Sequence, residues 1–196
     1  MPVPGGADAP DECSDCESRS PEFDRAVAAV HYAAPWSTLI ARLKFQGRSE
    51  LGVPLGRLLA DAVSQQWDAR QLPLPDVVLP VPLSARRLTE RGFNQSWLIA
   101  KACAARLGLP CAHHVLQRVQ HTERLMNMSA EARTLALHDA FEVAPRHVAQ
   151  VAGRHVALVD DVLTTGATLD AASLALRDAG ARTVSVWVVA KTGRPG

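Results

Sequence analysis

The chain has 196 residues, 47% of them apolar, which is enough to bury one sizeable core, so one principal domain is expected. Its 21 basic and 20 acidic side chains nearly cancel, which excludes binding to nucleic acid or an anionic membrane through a whole-molecule field. No run approaches the roughly 18 apolar residues that span a bilayer, and the N-terminus lacks the regions of a signal peptide. We therefore expect a cytoplasmic protein without membrane insertion.

Residues 1–22 are rich in Pro, Gly, Ser and acidic side chains, so we expect this segment to be flexible. Within it, Cys13 and Cys16 have the spacing of one pair of zinc ligands. A structural zinc site needs four ligands, so this pair is half a site. Two unpaired surface thiols are the alternative interpretation.

Residues 23–196 are expected to form one domain in which strands and helices alternate. In chain order the patterns predict a strand over 26–32, a helix opened by Pro35 and closed by Gly47, a helix over 51–67, a strand in DVVLPVP from Asp76, a helix capped by Asn94 that ends before Gly108, a strand near 113–116, a strand over 155–159, a helix over 168–179 and a strand over 183–190. This alternation predicts an α/β fold with a mostly parallel sheet, helices on both faces and ligands beyond the carboxyl ends of the strands.

One stretch, about 118–145, breaks the pattern. It is polar, with scattered apolar side chains and weak periodicity. A long excursion of this kind in a compact domain is more often a functional flap than a core element. We expect a flexible flap, or hood, here.

The segment VALVDDVLTTGATLDAA places Asp160 and Asp161 at the end of a buried strand, before a turn that enters a helix. A turn with glycine lets backbone N–H groups converge at the helix N-terminus, where a phosphate dianion is stabilised. The two carboxylates can accept hydrogen bonds from a vicinal diol while Mg²⁺ offsets their repulsion. A phosphorylated ribose satisfies both halves. The candidate phosphate loop consists of Thr164, Thr165, Gly166, Ala167 and Thr168.

Two other phosphate loops are excluded, since neither the Gly-Lys-Ser/Thr ending of P-loop NTPases nor the G-x-G-x-x-G of dinucleotide folds is present. The acidic pair, apolar spacer and TTGAT resemble the motif with which type I phosphoribosyltransferases bind 5-phosphoribosyl-1-pyrophosphate (PRPP). The resemblance implies that fold. The alternative is a solvated acidic pair beside an ordinary helix cap.

A second constellation, PVPLSARRLTERGFNQ, follows the first core strand. Its arginines Arg86, Arg87 and Arg91 lie near the expected ligand edge, and guanidinium groups bind pyrophosphate in bidentate fashion. On spacing alone, a solvated basic face is an equal alternative.

PVPL, RR and RGFNQ, with LIARLKFQG upstream, resemble a pattern of ComF and GntX-like proteins, and the similarity extends from Phe23 to Ala190. The resemblance implies that Asp160 and Asp161 bind the ribose hydroxyls with Mg²⁺, that the threonine loop binds the 5-phosphate and that the three arginines bind the pyrophosphate. It also implies a link to DNA uptake in natural transformation.

The chain departs from this family in two places. ComF proteins typically begin with two C-x-x-C pairs, so residues 1–22 resemble the remnant of a zinc module. In the flap, Leu125 and Ala136 replace a Gln and an Asn of the family, whereas Arg133 matches a recurring Arg and is a candidate phosphate contact.

Two functions are therefore considered. The first is a phosphoribosyltransferase that displaces pyrophosphate from PRPP by an unidentified acceptor; no general base is assignable from the sequence. The second is a non-catalytic competence module that binds single-stranded DNA or a nucleotide. Its weakness is that the aromatic fraction is only 5% and the tryptophans are dispersed, whereas single-strand binders present aromatic platforms.

Overall fold

The computed structural model describes residues 21–119 and 140–193. Five α-helices and six strands lie in these ranges, with short 3₁₀ turns at Ser49–Leu51 and Pro145–Gln150. The helices are α1 (Trp36–Phe45), α2 (Gly52–Arg70), α3 (Ala85–Arg91), α4 (Gln95–Leu107) and α5 (Ala167–Asp178). The strands are β1 (Arg25–His31), β2 (Val77–Pro80), β3 (Leu116–Arg118), β4 (Phe141–Val143), β5 (His155–Leu163) and β6 (Thr183–Lys191).

Four of the strands form a parallel sheet in the order β1-β6-β5-β2. The other two, β3 and β4, form a separate antiparallel pair. β5 and β6 are buried along most of their length, which explains why both read as continuous apolar runs in the sequence. The predicted α/β class and mostly parallel sheet are confirmed.

A hydrophobic core lies on each face of the sheet. On one face, α1, α2 and α4 pack against side chains such as Val159 and Trp187. On the other face, α5 and the β3–β4 pair pack against side chains such as Leu158 and Val186. Consecutive residues of a strand point to opposite faces, so one strand serves both cores. The predicted placement of helices on both faces is confirmed.

Helices α2 and α4 approach closely because α2 carries a glycine at their contact. A Cβ atom at Gly56 would lie 2.6 Å from both the Ala102 Cβ atom and the Ile99 carbonyl oxygen. Such a distance is not tolerated in packed cores. The N-terminus of α4, which carries Ser96, is therefore held at a fixed height above the sheet.

Helix α3 was not predicted. Ser84 caps it by accepting a hydrogen bond from the backbone N–H of Arg87 (3.3 Å), and Gly92 ends it with φ of 79°. None of its seven residues is buried, so its sequence carries no apolar period.

Two strand boundaries also differ from the prediction. The strand expected near 113–116 lies at Leu116–Arg118, because 113–115 precede its pairing with β4. β5 continues to Leu163, paired with Lys191 of β6, so the acidic pair lies inside the strand and not after it. Both ends of the predicted flap are thus in ordered pairing, while its middle, with Arg133, lies outside the described residues. So do Cys13 and Cys16. Within residues 21–119 and 140–193, no helix is long and apolar enough to cross a membrane.

Candidate functional site

The candidate site lies where β5 extends beyond the end of the neighbouring strand β2. The last paired residues of β2 and β5 are Pro80 and Val159, so Asp160 and Asp161 have β6 on one side and an open flank on the other. A cavity of about 660 Å³ occupies this flank. It is lined by Tyr32, Lys44, Phe45, Val81, Pro82, Leu83, Arg87, Glu90, Arg91, Gln95, Arg118, Asp160, Asp161, Val162, Thr164 and Thr168. As expected for a parallel sheet, it lies at the carboxyl ends of the strands.

Asp160 is held from two sides. Its Oδ1 atom accepts a hydrogen bond from the Ser96 hydroxyl (2.7 Å) and another from the backbone N–H of Asp161 (2.8 Å). Ser96 is the second residue of α4, whose N-terminus is capped by Asn94. The N-terminus of α4 therefore both ends the turn between α3 and α4 and orients the carboxylate of Asp160.

Asp161 is 3% exposed and forms an ion pair with Lys44 of α1, whose Nζ atom lies 2.6 Å from its Oδ1 atom. Its second oxygen, Oδ2, is buried and has no hydrogen-bond partner among the described residues. A buried carboxylate oxygen without a partner is costly. Asp161 lines the cavity, so its incompletely satisfied carboxylate is a candidate ligand contact.

Burial and the neighbouring charge of Asp161 raise the pKa of Asp160 to about 7. The hydrogen bond from Ser96 acts in the opposite direction, because it favours the ionised form. Asp160 thus changes protonation near neutral pH, and perturbed groups of this kind cluster at functional sites.

The threonine loop joins β5 to α5. Gly166 has φ of 81°, a left-handed conformation that glycine adopts without strain, and no side chain caps the helix that follows. The N-terminal N–H groups of α5 are therefore left for a ligand or water. Thr164 and Thr168 line the cavity. Thr165, Gly166 and Ala167 form the turn between them and are not part of the lining.

Two of the three predicted arginines lie at the cavity and the third does not. Arg87 and Arg91 line the cavity. The Arg91 side chain also donates a hydrogen bond to Gln95, and its guanidinium carbon lies 5.7 Å from the centre of the Phe45 ring. Partial burial lowers the pKa of Arg91. Arg86 points away, with its side chain 85% exposed and 2.7 Å from Glu90, so the structure does not bring it to the cavity.

Four lining or contact residues were missed by sequence reasoning. Lys44 and Phe45 lie in the segment LIARLKFQG, which was noted only for its family resemblance. Arg118 was placed in the flap, yet it ends β3, lines the cavity and has its pKa lowered by burial. Ser96 gave no signal, because a serine just after a helix cap is common and its partner lies far along the chain.

The acidic pair fits Mg²⁺ that arrives with a phosphorylated ligand. Across the two described ranges, no group of three or more His, Cys, Asp or Glu side chains could hold a metal. Mg²⁺, however, commonly binds to one or two carboxylates plus substrate phosphates and water. The unpartnered Oδ2 atom of Asp161 and the neighbouring Asp160 provide such a pair. The predicted half zinc site, Cys13 and Cys16, stays a prediction.

Comparison with known proteins identifies relatives along most of the chain. Residues 94–195, slightly more than half of it, match the family model described as "Phosphoribosyl transferase domain". "Competence protein F" of Haemophilus influenzae is 38% identical over 179 residues, which are 91% of this chain and 78% of that protein. "DNA utilization protein YhgH" of Salmonella typhi is 39% identical over 181 residues, which are 92% and 78% of the two chains.

A solved structure is also similar. Glutamine PRPP amidotransferase from B. subtilis, complexed with ADP and GMP, is 24% identical with a TM-score of 0.47, over 69% of this chain and 25% of that chain. This likeness is weak. The assignment of the chain to a family therefore rests on the sequence matches. The family model covers α4, the β5–α5 motif and β6.

Proposed function

Because the chain belongs to the ComF family and has the type I phosphoribosyltransferase fold, we propose that it binds PRPP with Mg²⁺ and transfers the phosphoribosyl group to an acceptor, releasing pyrophosphate. The observation that carries the proposal is one cavity that holds both the acidic pair, with the unpartnered Asp161 Oδ2 atom, and the threonines at the uncapped N-terminus of α5. Few ligands other than a phosphorylated sugar use an acid pair and a phosphate cradle together.

The ribose end of the ligand is assigned to the strand and the loop. Asp160 and Asp161 would accept hydrogen bonds from the two vicinal hydroxyls, since an ionised carboxylate has only acceptor oxygens. Thr164 and Thr168, with the backbone N–H groups of the turn, would bind the 5-phosphate. The positive end of the α5 dipole adds to this binding.

The pyrophosphate end is assigned to the opposite wall. Arg87 and Arg91 project from α3 into the cavity, and Arg118 reaches it from β3. Their guanidinium groups suit the oxygens of a pyrophosphate better than a lysine would. Arg86 is paired with Glu90, lies outside the cavity lining and is given no part in this contact.

In the proposed reaction, the bond between C1 of the ribose and the pyrophosphate oxygen breaks while the acceptor forms a bond to C1. Positive charge develops on the sugar and negative charge on the leaving group. The arginines stabilise the leaving group, and bound Mg²⁺ would supply further charge neutralisation there. No side chain of the described lining is assigned as a general base. Catalysis would then come from the positioning of the two substrates and from stabilisation of the charge on the leaving pyrophosphate.

Calorimetric titration with PRPP and Mg²⁺ tests the proposal. The wild-type chain should release binding heat, and the double variant Asp160→Asn/Asp161→Asn should not. Asp178→Asn, at the exposed end of α5, is the matched control and should bind like the wild type. Equal heats for the double variant and the wild type would sink the proposal.

One observation favours the second candidate, a binding module for single-stranded DNA. Phe45 is 77% exposed and Tyr32 is 40% exposed; both line the cavity, and the Phe45 ring lies beside Arg91. Exposed aromatic rings next to basic groups are typical platforms for stacked bases. Fluorescence anisotropy with a labelled oligonucleotide separates the two candidates. Binding that is lost in Phe45→Ala but kept in Asp160→Asn/Asp161→Asn would favour the DNA module over the enzyme.

The names of the relatives connect the family with competence and with DNA utilization. On this ground we propose that the chain acts in DNA uptake and is located in the cytoplasm. Residues 1–22 as the remnant of a zinc module, and Arg133 as a phosphate contact, remain part of the proposal. One equivalent of zinc per chain in the purified protein would contradict the first of these.

A further inference from the structure

Lys44 occupies a position that a metal ion could otherwise take. Its Nζ atom lies 2.6 Å from Asp161 Oδ1, and the two residues come from separate elements, α1 and β5. The Lys44 side chain is 23% exposed and itself lines the cavity, whereas that of Asp161 is 4% exposed. The ammonium group is therefore a fixed positive charge inside the site, on the same carboxylate that the ligand would use.

The Lys44–Asp161 ion pair satisfies only one oxygen of the Asp161 carboxylate. A carboxylate as buried as Asp161 needs a positive partner, and Lys44 supplies it through Oδ1. Oδ2 of the same carboxylate remains without a partner in the described part of the chain. Lys44 alone therefore leaves the Asp161 carboxylate incompletely satisfied, at a residue that lines the cavity.

We propose that Lys44 is a built-in counter-cation of the acidic pair that prevents a divalent metal from binding there by itself. A metal at Asp161 would lie within a few ångströms of a fixed ammonium group, and like charges at that distance repel. The negative charge of a pyrophosphate group offsets this repulsion. Metal therefore enters together with the ligand. This role rests on the proposed function, because the ligand that admits the metal is PRPP.

Manganese, followed by electron paramagnetic resonance, is the probe, since its signal reports free Mn²⁺ without any turnover. The wild-type chain should leave the Mn²⁺ free, and adding PRPP should remove more free Mn²⁺ than the same concentration of PRPP removes without protein. Lys44→Met should bind Mn²⁺ without PRPP on the order of tenfold more tightly than the wild type. Lys101→Met, which removes an exposed lysine of α4 outside the cavity lining, should behave like the wild type.

Two further measurements keep the test decisive. Lys44→Arg retains the positive charge and should still exclude Mn²⁺, and the wild-type experiment needs no variant that could fail to fold. Tight Mn²⁺ uptake by the wild type alone, or equal affinities for the wild type and a folded Lys44→Met, would overturn the role of Lys44. If Lys44→Met gains Mn²⁺ affinity but PRPP binds to neither protein, metal exclusion stands and the proposed function fails.

Discussion

The Ser96 hydroxyl lies 2.7 Å from Asp160 Oδ1 and joins the N-terminus of α4 to the acidic end of β5. Helix α4 packs against α2 at Gly56, so the position of this hydroxyl is fixed by the core. Burial and the charge of Asp161 raise the pKa of Asp160, and this hydroxyl on another element partly offsets that rise, which makes the contact testable.

Ser96→Ala is expected to raise the pKa of Asp160 further, because the lost hydrogen bond favoured the ionised acid. PRPP affinity should fall about 3- to 10-fold near pH 7 and recover at pH 8.5, where Asp160 ionises without help. Calorimetry at pH 6.5, 7.5 and 8.5 measures this. Ser173→Ala removes another buried hydroxyl, one without a partner in the described ranges, and should leave the pH profile unchanged. A loss of affinity that is equal at all three values contradicts the prediction.

Asp160→Asn is expected to stabilise the fold at alkaline pH while it abolishes ligand binding. Burial raises the pKa of Asp160 to about 7, whereas an unfolded Asp titrates near 3.9. Between these values the folded state holds a proton that the unfolded state has lost, so wild-type stability falls as pH rises through this window. At pH 8 the variant should melt on the order of 3 °C higher, and the difference should close toward pH 4. Thermal melts followed by circular dichroism decide this, and a variant less stable than the wild type at pH 8 refutes it.

Arg87→Met and Arg86→Met form a matched pair on one helix. Arg87 lines the cavity, so its loss should weaken PRPP binding by about 10- to 100-fold. Arg86 is 85% exposed and paired with Glu90, so its loss should change affinity by less than about twofold. Titration of both variants with PRPP and Mg²⁺ gives the comparison. Equal losses would restore the three-arginine site predicted from the sequence.

Gly166→Ala and Gly153→Ala separate backbone strain from phosphate binding. Both glycines have left-handed φ, 81° and 71°, so alanine should cost each about 1 to 2 kcal/mol of stability. Only Gly166 lies in the phosphate turn, and its new Cβ would make an ordinary contact 3.7 Å from Leu163, so alanine would act through the backbone of that turn. Ribose 5-phosphate binding should therefore fall in Gly166→Ala alone. Melting temperature and calorimetry are measured together, and loss of binding in both variants would trace the effect to strain.

The local parts of this molecule were predictable from the sequence. The strand–turn–helix of β5 and α5 carries its signals within one stretch, namely an apolar run, a glycine turn and a helical period. Helix α3 could not be predicted because it buries no residue, so its sequence has no helical repeat of apolar residues. β4 escaped because three residues inside a polar stretch are too few to give one.

The contacts that complete the site were beyond sequence reasoning for a different reason. Lys44 and Ser96 meet the acidic pair only after α1 and α4 have packed on the same face of the sheet. No spacing along the chain encodes such meetings. Arg87 lines the cavity and its neighbour Arg86 does not, because consecutive residues of the helix α3 point in different directions. This helix was not predicted from the sequence, so the difference between the two arginines could not be predicted either.

The site arises because β5 extends beyond the end of β2, past the Pro80–Val159 pair, and not because core side chains have been removed. The cavity is thus lined both by buried residues, such as Val81 and Asp161, and by exposed ones. The acidic residues of β5 line one part of the cavity, whereas the exposed residues Tyr32 and Phe45 line another. Substitutions there can alter what the cavity accepts without unfolding the chain.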